Sequence, residues 1–459
     1  MKKIIMSLGL IGLLGFQSCS EDEFLNYEPS SSAQVNEGTI TNEEQLQTAL
    51  LGVYDGLQSN FAYGNYYITS QELLTDNGFV IFENSNRFTD FYRYEHASVT
   101  GGSIANMWTI GYRVIARANF VLSYEGKIQG DASAAYFAEA RALRALTLFN
   151  LVNYYARPYG TTDQDLGIPI PMAFESDQPI ARSSVAEVYD EITTQLELAA
   201  NLLPNLNERS RISKEAVYAL LSRVYLYKKD YVKASQYADM AIPSVEIVSG
   251  DDLSSFYRNP LSAETLFGID FTELDNPGAN DAIFATWSTN RYGDTAATTE
   301  FYNLMSATDA RTGLYELWDT NDVPQPYGVL KYQSVDDDII VIRGSEVILN
   351  KIEALYFTDP TSALNELVDY VSTYRDPAYT FAGSGQALLD EILNQRRIEL
   401  AFEGHRYFDM NRYQLDINKN GNCTANCEMP FSDYRRVFPI PLNEMNTNPA
   451  LAGQQNPNY

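Results

Sequence analysis

The stretch "RISKEAVYALLSRVYLYKKDYVKASQYADMAIP", residues 211–243, limits the fold more than any other part of the chain. It reads as two amphipathic helices with a tight junction at Lys229-Asp230. Small residues sit where the two would touch: Ala219 on the first helix, and Ala234, Ala238 and Ala241 on the second. Alanine favours helix and lets two backbones approach closely. A pair of this kind spans about 34 residues and cannot bury its apolar face alone, so several must stack.

The pair resembles a tetratricopeptide repeat, and weaker versions occupy 103–156 and 344–404. Other segments agree. Thr41 is expected to cap a helix with Glu43 and Glu44 in its first turn and Leu46, Leu50, Val53, Tyr54 and Leu57 as its apolar stripe. Ser184, with Glu187 three residues on, has capping-box spacing. The expected fold is mainly α, an αα-superhelix of tetratricopeptide-like pairs with inserted loop-rich regions. Helical scaffold is assigned to about 41–59, 103–243 and 344–413. Residues 60–102 and 245–340 lose the period and carry aromatics, Asn, Gly and Pro. They read as insertions, and 414–459 as a C-terminal loop. Residues 41–459 read as one intertwined body.

The 459 residues carry a net charge of −28, which repels nucleic-acid phosphates and anionic lipid surfaces. Nucleic acid is excluded as a partner on that ground. The two histidines leave few candidates for Ser-His or Cys-His chemistry, and no P-loop, H-E-x-x-H or G-x-S-x-G stretch occurs. With 60 acids, some pair will meet the spacing of a glycosidase by chance, so that signal is empty. No catalytic residue, cofactor or metal is assigned. The acids of "DDD" at 336–338 read as a solvated turn in preference to a calcium cluster. Cys423 and Cys427 in "CTANC" can form a disulfide or remain free thiols. A zinc site there would need two further ligands, and His96 and His405 lie far away in sequence.

The N-terminus has Lys2 and Lys3, an apolar run from Ile4 to Phe16, and then "GFQSCSEDEF". The run is too short to span a bilayer and fits a signal peptide over residues 1–18. Cys19 resembles the lipidated cysteine of a bacterial lipobox, with Phe16 where Leu is commoner. Glu21, Asp22 and Glu23 resemble an acidic export tag. Residues 19–40 then form a lipidated tether, and the protein is expected at the outer membrane, facing the cell exterior.

Near the C-terminus, "RRIELAFEGHRYFDMNRY" at 396–413 and "FPIPLNEMNTNPALAGQQNPNY" close the chain. With "EFLNYEPS", "ARANFVL", "AEARALRALTLFNLVNYYARPYG", "LELAANLLP" and "SEVILNKIEALYF" in the same order, they resemble the SusD/RagB family of Bacteroidetes outer-membrane lipoproteins. The resemblance covers nearly the whole mature chain. It implies a tetratricopeptide-like scaffold with a loop-rich ligand face. It also implies a SusC-like TonB-dependent transporter as partner and an oligosaccharide ligand, with peptide cargo as the alternative. Within 396–413, Arg396, Arg397, Glu399, Glu403, His405, Arg406 and Asp409 look catalytic. Their spacing favours ion pairs along one helix face, and a buried network fixing the C-terminal loop.

Rings on loops can stack against sugars, whereas rings at helical spacing are packed. Two stretches supply loop rings with polar neighbours. In residues 63–94 the candidates are Tyr66, Tyr67, Asp76, Asn77, Phe79, Arg87, Phe88 and Tyr92, with Phe82 among them. In 284–303 they are Trp287, Asn290, Arg291 and Tyr292. Trp287 is favoured, since Thr, Ser, Asn and Arg surround it. Loop packing is the competing reading for each ring. Trp108 reads as core, and Trp318 is undecided.

Overall fold

Asn42 opens the first helix: its side-chain oxygen accepts from Gln45 N at 2.9 Å, one residue later than the Thr41 cap expected from sequence. The computed structural model describes residues 39–162, 165–174, 178–419 and 421–459. The signal segment, Cys19 and the acidic tag lie outside the described residues. Residues Asn42–Tyr459 form one compact unit.

Eleven of its helices carry the argument. They are α1 (Glu43–Gln58), α2 (Tyr66–Leu73), α3 (Ser103–Leu122), α4 (Ser133–Tyr155), α5 (Val185–Ala200) and α6 (Lys214–Tyr227), followed by α7 (Tyr231–Ala241), α8 (Gly344–Thr358), α9 (Pro360–Tyr374), α10 (Gln386–Glu399) and α11 (Arg406–Arg412). The stacking runs α1 on α3, then α4, α5, α6, α7 and α8, with α9 and α10 both packed on α8. This is the mainly α superhelix expected. The pair at 211–243 turns where expected: Lys229 takes φ of 62°, and Asp230 caps α7 by accepting from Lys233 N at 3.1 Å. The Ser184–Glu187 capping box opens α5. One core lies where α8, α9 and α10 meet, with Leu349, Ile352, Leu367, Val371, Leu388 and Ile392 buried. Each such side chain contributes about 1.5–3 kcal/mol by leaving water.

The two insertions are joined by a sheet. Strand β1 (Gly78–Val80) comes from the first; β3 (Thr295–Ala297), β4 (Tyr315–Leu317) and β5 (Tyr327–Val329) come from the second. Their order is β1-β3-β5-β4, all antiparallel, with Phe79 opposite Ala296 and Leu317 opposite Tyr327. A separate ribbon pairs β2 (Thr265–Ile269) with β6 (Ile339–Arg343), so the second insertion leaves and re-enters the scaffold at one place. Among the described residues no helix is long and apolar enough to cross a membrane.

The signature segment departs from the sequence reading. Helix α10 ends at Glu399, and Phe402 and Gly404 take φ of 63° and 80° before α11 begins. Glu399 and Glu403 therefore do not share a helix face, and their partners come from distant elements. Arg343 reaches Glu264 at 2.6 Å, Glu399 at 2.8 Å and Glu403 at 2.8 Å. Arg375 and Arg311 also reach Glu399, and Lys331 reaches Glu403 at 2.5 Å. Arg396 instead joins Asp409, and His405 lies 3.8 Å from Glu346. The network is buried, as expected, but it ties elements together across the fold.

Candidate functional site

Helix α2 and strand β1 point most of the first candidate group inward. Tyr67 is buried against Tyr63 and Tyr154. Phe79 and Phe88 are buried, and Tyr92 is buried with its hydroxyl donating to Asn422 O at 2.9 Å. Tyr66 is half-buried in a ring cluster with Phe61, Phe88 and Phe91. Asp76 is clasped by Arg406 and Arg397. Asn77 donates to Glu72 at 2.8 Å and accepts from Arg397 at 2.7 Å. These residues fix the base of the face and do not present themselves to a ligand.

Trp287 needs the clearest correction. It is 0% exposed. Its indole N–H donates to Thr69 Oγ1 at 2.8 Å, and Phe402 packs against its ring edge at 4.8 Å between centroids. Gly78 makes room for it: a Cβ there would sit 2.9 Å from the indole. The polar neighbours in sequence misled because residues 283–287 form one helical turn that sends Ile283 and Trp287 into the core.

The remaining candidates come together on one open face. Tyr292 is 46% exposed, and its hydroxyl donates to Asn280 Oδ1 at 2.8 Å. The guanidinium of Arg87 lies 5.0 Å from the Tyr292 ring centroid, and that of Arg291 lies 5.2 Å from it. Arg87 comes from the first insertion and is held by Asp294 of the second, Nε to Oδ2 at 2.9 Å. Arg291 donates to Ala279 O at 3.1 Å. Asn290 is exposed beside them. Such cation–ring contacts contribute about 0.5–1 kcal/mol at exposed sites.

Two further rings border this face. Phe82 is 78% exposed, and its backbone N–H donates to Asp322 Oδ1 at 3.1 Å. Trp318 is half-buried against Gly293, where φ is +52° and a Cβ would meet the indole at 2.3 Å. Its place against Gly293 had no sequence signal, because it depends on that glycine and on the pairing of β4 with β5. Phe82 was legible as a loop ring. Cys423 and Cys427 form a disulfide, and neighbouring Asn422 donates to Pro324 O at 3.1 Å.

Among the described residues no group of three or more His, Cys, Asp or Glu is arranged to hold a metal. The acids of 336–338 serve the chain itself: Asp337 accepts from Ser334 N at 2.8 Å and Asp338 from Phe271 N at 2.8 Å.

The arrangement offers rings and fixed hydrogen-bonding groups on loops over a rigid helical frame. Comparison with known proteins gives the same architecture. A family model described as "Starch-binding associating with outer membrane" matches residues 23–226, and one described as "SusD family" matches residues 325–459. The SusD-like protein P2 of Formosa agariphila is 24% identical, over 99% of this chain and 98% of that one. A crystal structure of a SusD superfamily protein from Bacteroides vulgatus superposes with a TM-score of 0.84 at 25% identity, covering 91% of this chain and 99% of that one. A second B. vulgatus structure, of a candidate sugar-binding protein, gives a TM-score of 0.83 at 27% identity, covering 92% and 99%. With the two models matching residues 23–226 and 325–459 and the fold agreeing along the rest, the chain belongs to the SusD/RagB family.

Proposed function

We propose that this protein is a surface lipoprotein that captures oligosaccharides and delivers them to a SusC-like TonB-dependent transporter in the outer membrane. The observation that carries the binding step is the exposed Tyr292 ring, held by Asn280 and flanked by Arg87 and Arg291. The part of the ring that the guanidiniums leave open, with Tyr292 46% exposed, can pack against the C–H face of a sugar without first losing rotamer freedom. Asn290 and the guanidiniums lie within the same patch to hydrogen-bond hydroxyls. The family description of starch binding at the outer membrane supports the ligand class and location. Membrane attachment is assigned to lipid on Cys19, and display to the exterior to the acids that follow. The role is binding without catalysis, since the carboxylates of the signature segment are engaged in buried ion pairs.

Affinity electrophoresis of the mature, unlipidated chain in gels containing starch, xylan, laminarin or polygalacturonate tests the binding step. Retardation by one glycan, weakened in Tyr292→Ala, is expected. Free migration in every gel, with retention of oligopeptides by calorimetry, would replace oligosaccharide by peptide as the cargo. Co-purification of a TonB-dependent transporter with the lipidated protein from outer membranes tests the delivery step.

A further inference from the structure

Two cavities lie side by side along the C-terminal half of α1. The first, of about 480 Å³, is lined by Leu51, Tyr54, Gln58, Arg211, Ile269 and Asp275. The second, of about 350 Å³, is lined by Ile110, Arg113, Asn276 and Asp281. Asp55, Gln58 and Asp275 belong to both, so the two form one groove. Both volumes fall within the range of ordinary ligand sites, roughly 300–1,000 Å³. The groove also reaches the candidate face. Asp281 lines its near end and lies 3.9 Å from Arg87, and the adjoining Asn280 holds the Tyr292 hydroxyl.

The chemistry of the walls narrows the occupant. Leu51, Ile110, Ile269 and the Tyr54 ring give apolar surface. The polar groups are neutral but partly engaged: Gln58 donates to Asp270 O at 2.8 Å, Asn276 to Thr272 O at 2.7 Å and Ser210 to Glu208 at 2.9 Å, which leaves the Gln58 amide oxygen and the Ser210 hydroxyl oxygen able to accept. Two of the arginines are already committed: Arg211 to Glu139 at 2.8 Å, and Arg117 to Asp55 at 2.6 Å. Arg113 is the third lining arginine, and it faces four further acids, Glu208, Asp270, Asp275 and Asp281, of which Asp281 also lies 3.9 Å from Arg87. This excess of carboxylates repels sulfate, phosphate or uronate groups. We infer that the groove is a second subsite, which takes the uncharged, hydroxyl-rich continuation of a carbohydrate chain whose other end lies on Tyr292. The inference rests on the oligosaccharide reading above. Joining two subsites through one ligand makes the second contact intramolecular, so affinity rises with chain length.

Gly52 makes the test clean. It lines the groove in the middle of α1, and a Cβ there would meet nothing within 4 Å. Gly52→Gln places a neutral side chain in the groove and favours the helix. Leu51→Gln alters the same wall independently. The probe is the gel glycan that retains the wild type, hydrolysed to fragments of increasing length and titrated by calorimetry. The expected result is that wild-type affinity rises on the order of tenfold from the shortest to the longest fragments. Gly52→Gln and Leu51→Gln should match the wild type on the shortest and lose that rise. An undiminished rise in both variants, or no rise in the wild type, overturns the groove and leaves the face intact. Retention of the wild type by no glycan overturns the carbohydrate reading and this inference together.

Discussion

Arg406 grips Asp76 with both arms of its guanidinium, Nε to Oδ1 at 2.9 Å and Nη2 to Oδ2 at 3.0 Å, across 330 residues of sequence. Arg397 approaches the same carboxylate at 3.3 Å. Burial would raise the Asp76 pKa, but the two arginines outweigh it and hold the carboxyl well below its usual range. The first insertion is thereby bolted to the signature segment. Asp76→Asn leaves two guanidiniums short of a counter-charge. A loss of about 3 kcal/mol is expected in denaturant unfolding, and an unchanged midpoint would show the clasp to be dispensable.

Glu399 receives Arg375, Arg343 and Arg311 together. Removing its charge leaves several buried cations under-compensated. Glu399→Gln should cost about 3–5 kcal/mol, more than an exposed ion pair, which is worth about 1 kcal/mol or less. Equilibrium unfolding of the variant beside Lys233→Ala, which breaks the exposed pair with Glu197, checks the contrast.

Two buried groups give opposite pH dependences. Burial, with a smaller effect from Lys419, pushes the His96 pKa down to about 3. The unfolded chain then binds the proton first, so stability is lost as pH falls below about 6.5. Burial raises the Glu72 pKa to about 7 against the help of Asn77. The folded chain then holds that proton longer, so stability is lost as pH rises from about 4.5 through 7. His96→Phe should therefore gain on the wild type as pH falls from 7.5 to 4.5, on the order of 2 kcal/mol, and Glu72→Gln should gain as pH rises over the same span. Unfolding midpoints at several pH values measure both, and parallel curves for variant and wild type would count against each.

Trp287 and Tyr292 should separate in mutagenesis. Trp287→Ala empties a packed site and should cost about 3–5 kcal/mol of stability. Tyr292→Ala should leave unfolding nearly unchanged while weakening glycan retention about tenfold, the loss of roughly 1.4 kcal/mol. Equal effects on both readouts for both variants would mean that the face and the core were wrongly divided.

The helical scaffold was legible because its signals are local. Alanine spacing, the Ser184 capping box and the Lys229-Asp230 junction each act within a few residues. Tyr292, Asn290 and Arg291 were legible as polar-flanked loop residues, and they are exposed. The inward turn of Trp287 was hidden because it depends on Gly78, from the other insertion. The partners of Glu399 and Glu403 were misassigned for a related reason. The helix pattern continues through 400–405, but Phe402 and Gly404 leave the helical region, and Arg343 and Arg375 approach from elsewhere in the chain. The groove along α1 was not foreseen, since α1 reads as scaffold and its far wall comes from residues 269–281.

The pairing of β1 with β3 also has a consequence in time. Gly78–Val80 cannot find its neighbour until Thr295–Ala297 exists and has been delivered to it. Helix pairs such as α6 with α7 need only adjacent chain and can form early, whereas closing a loop this long is slow and is rewarded late. As the polypeptide emerges from its N-terminus, the helical frame can assemble progressively while the first insertion waits, unpaired, for the second. The surface proposed to meet the sugar would then be among the last to take shape, and the stretch around β1 the one most in need of protection until the second insertion arrives.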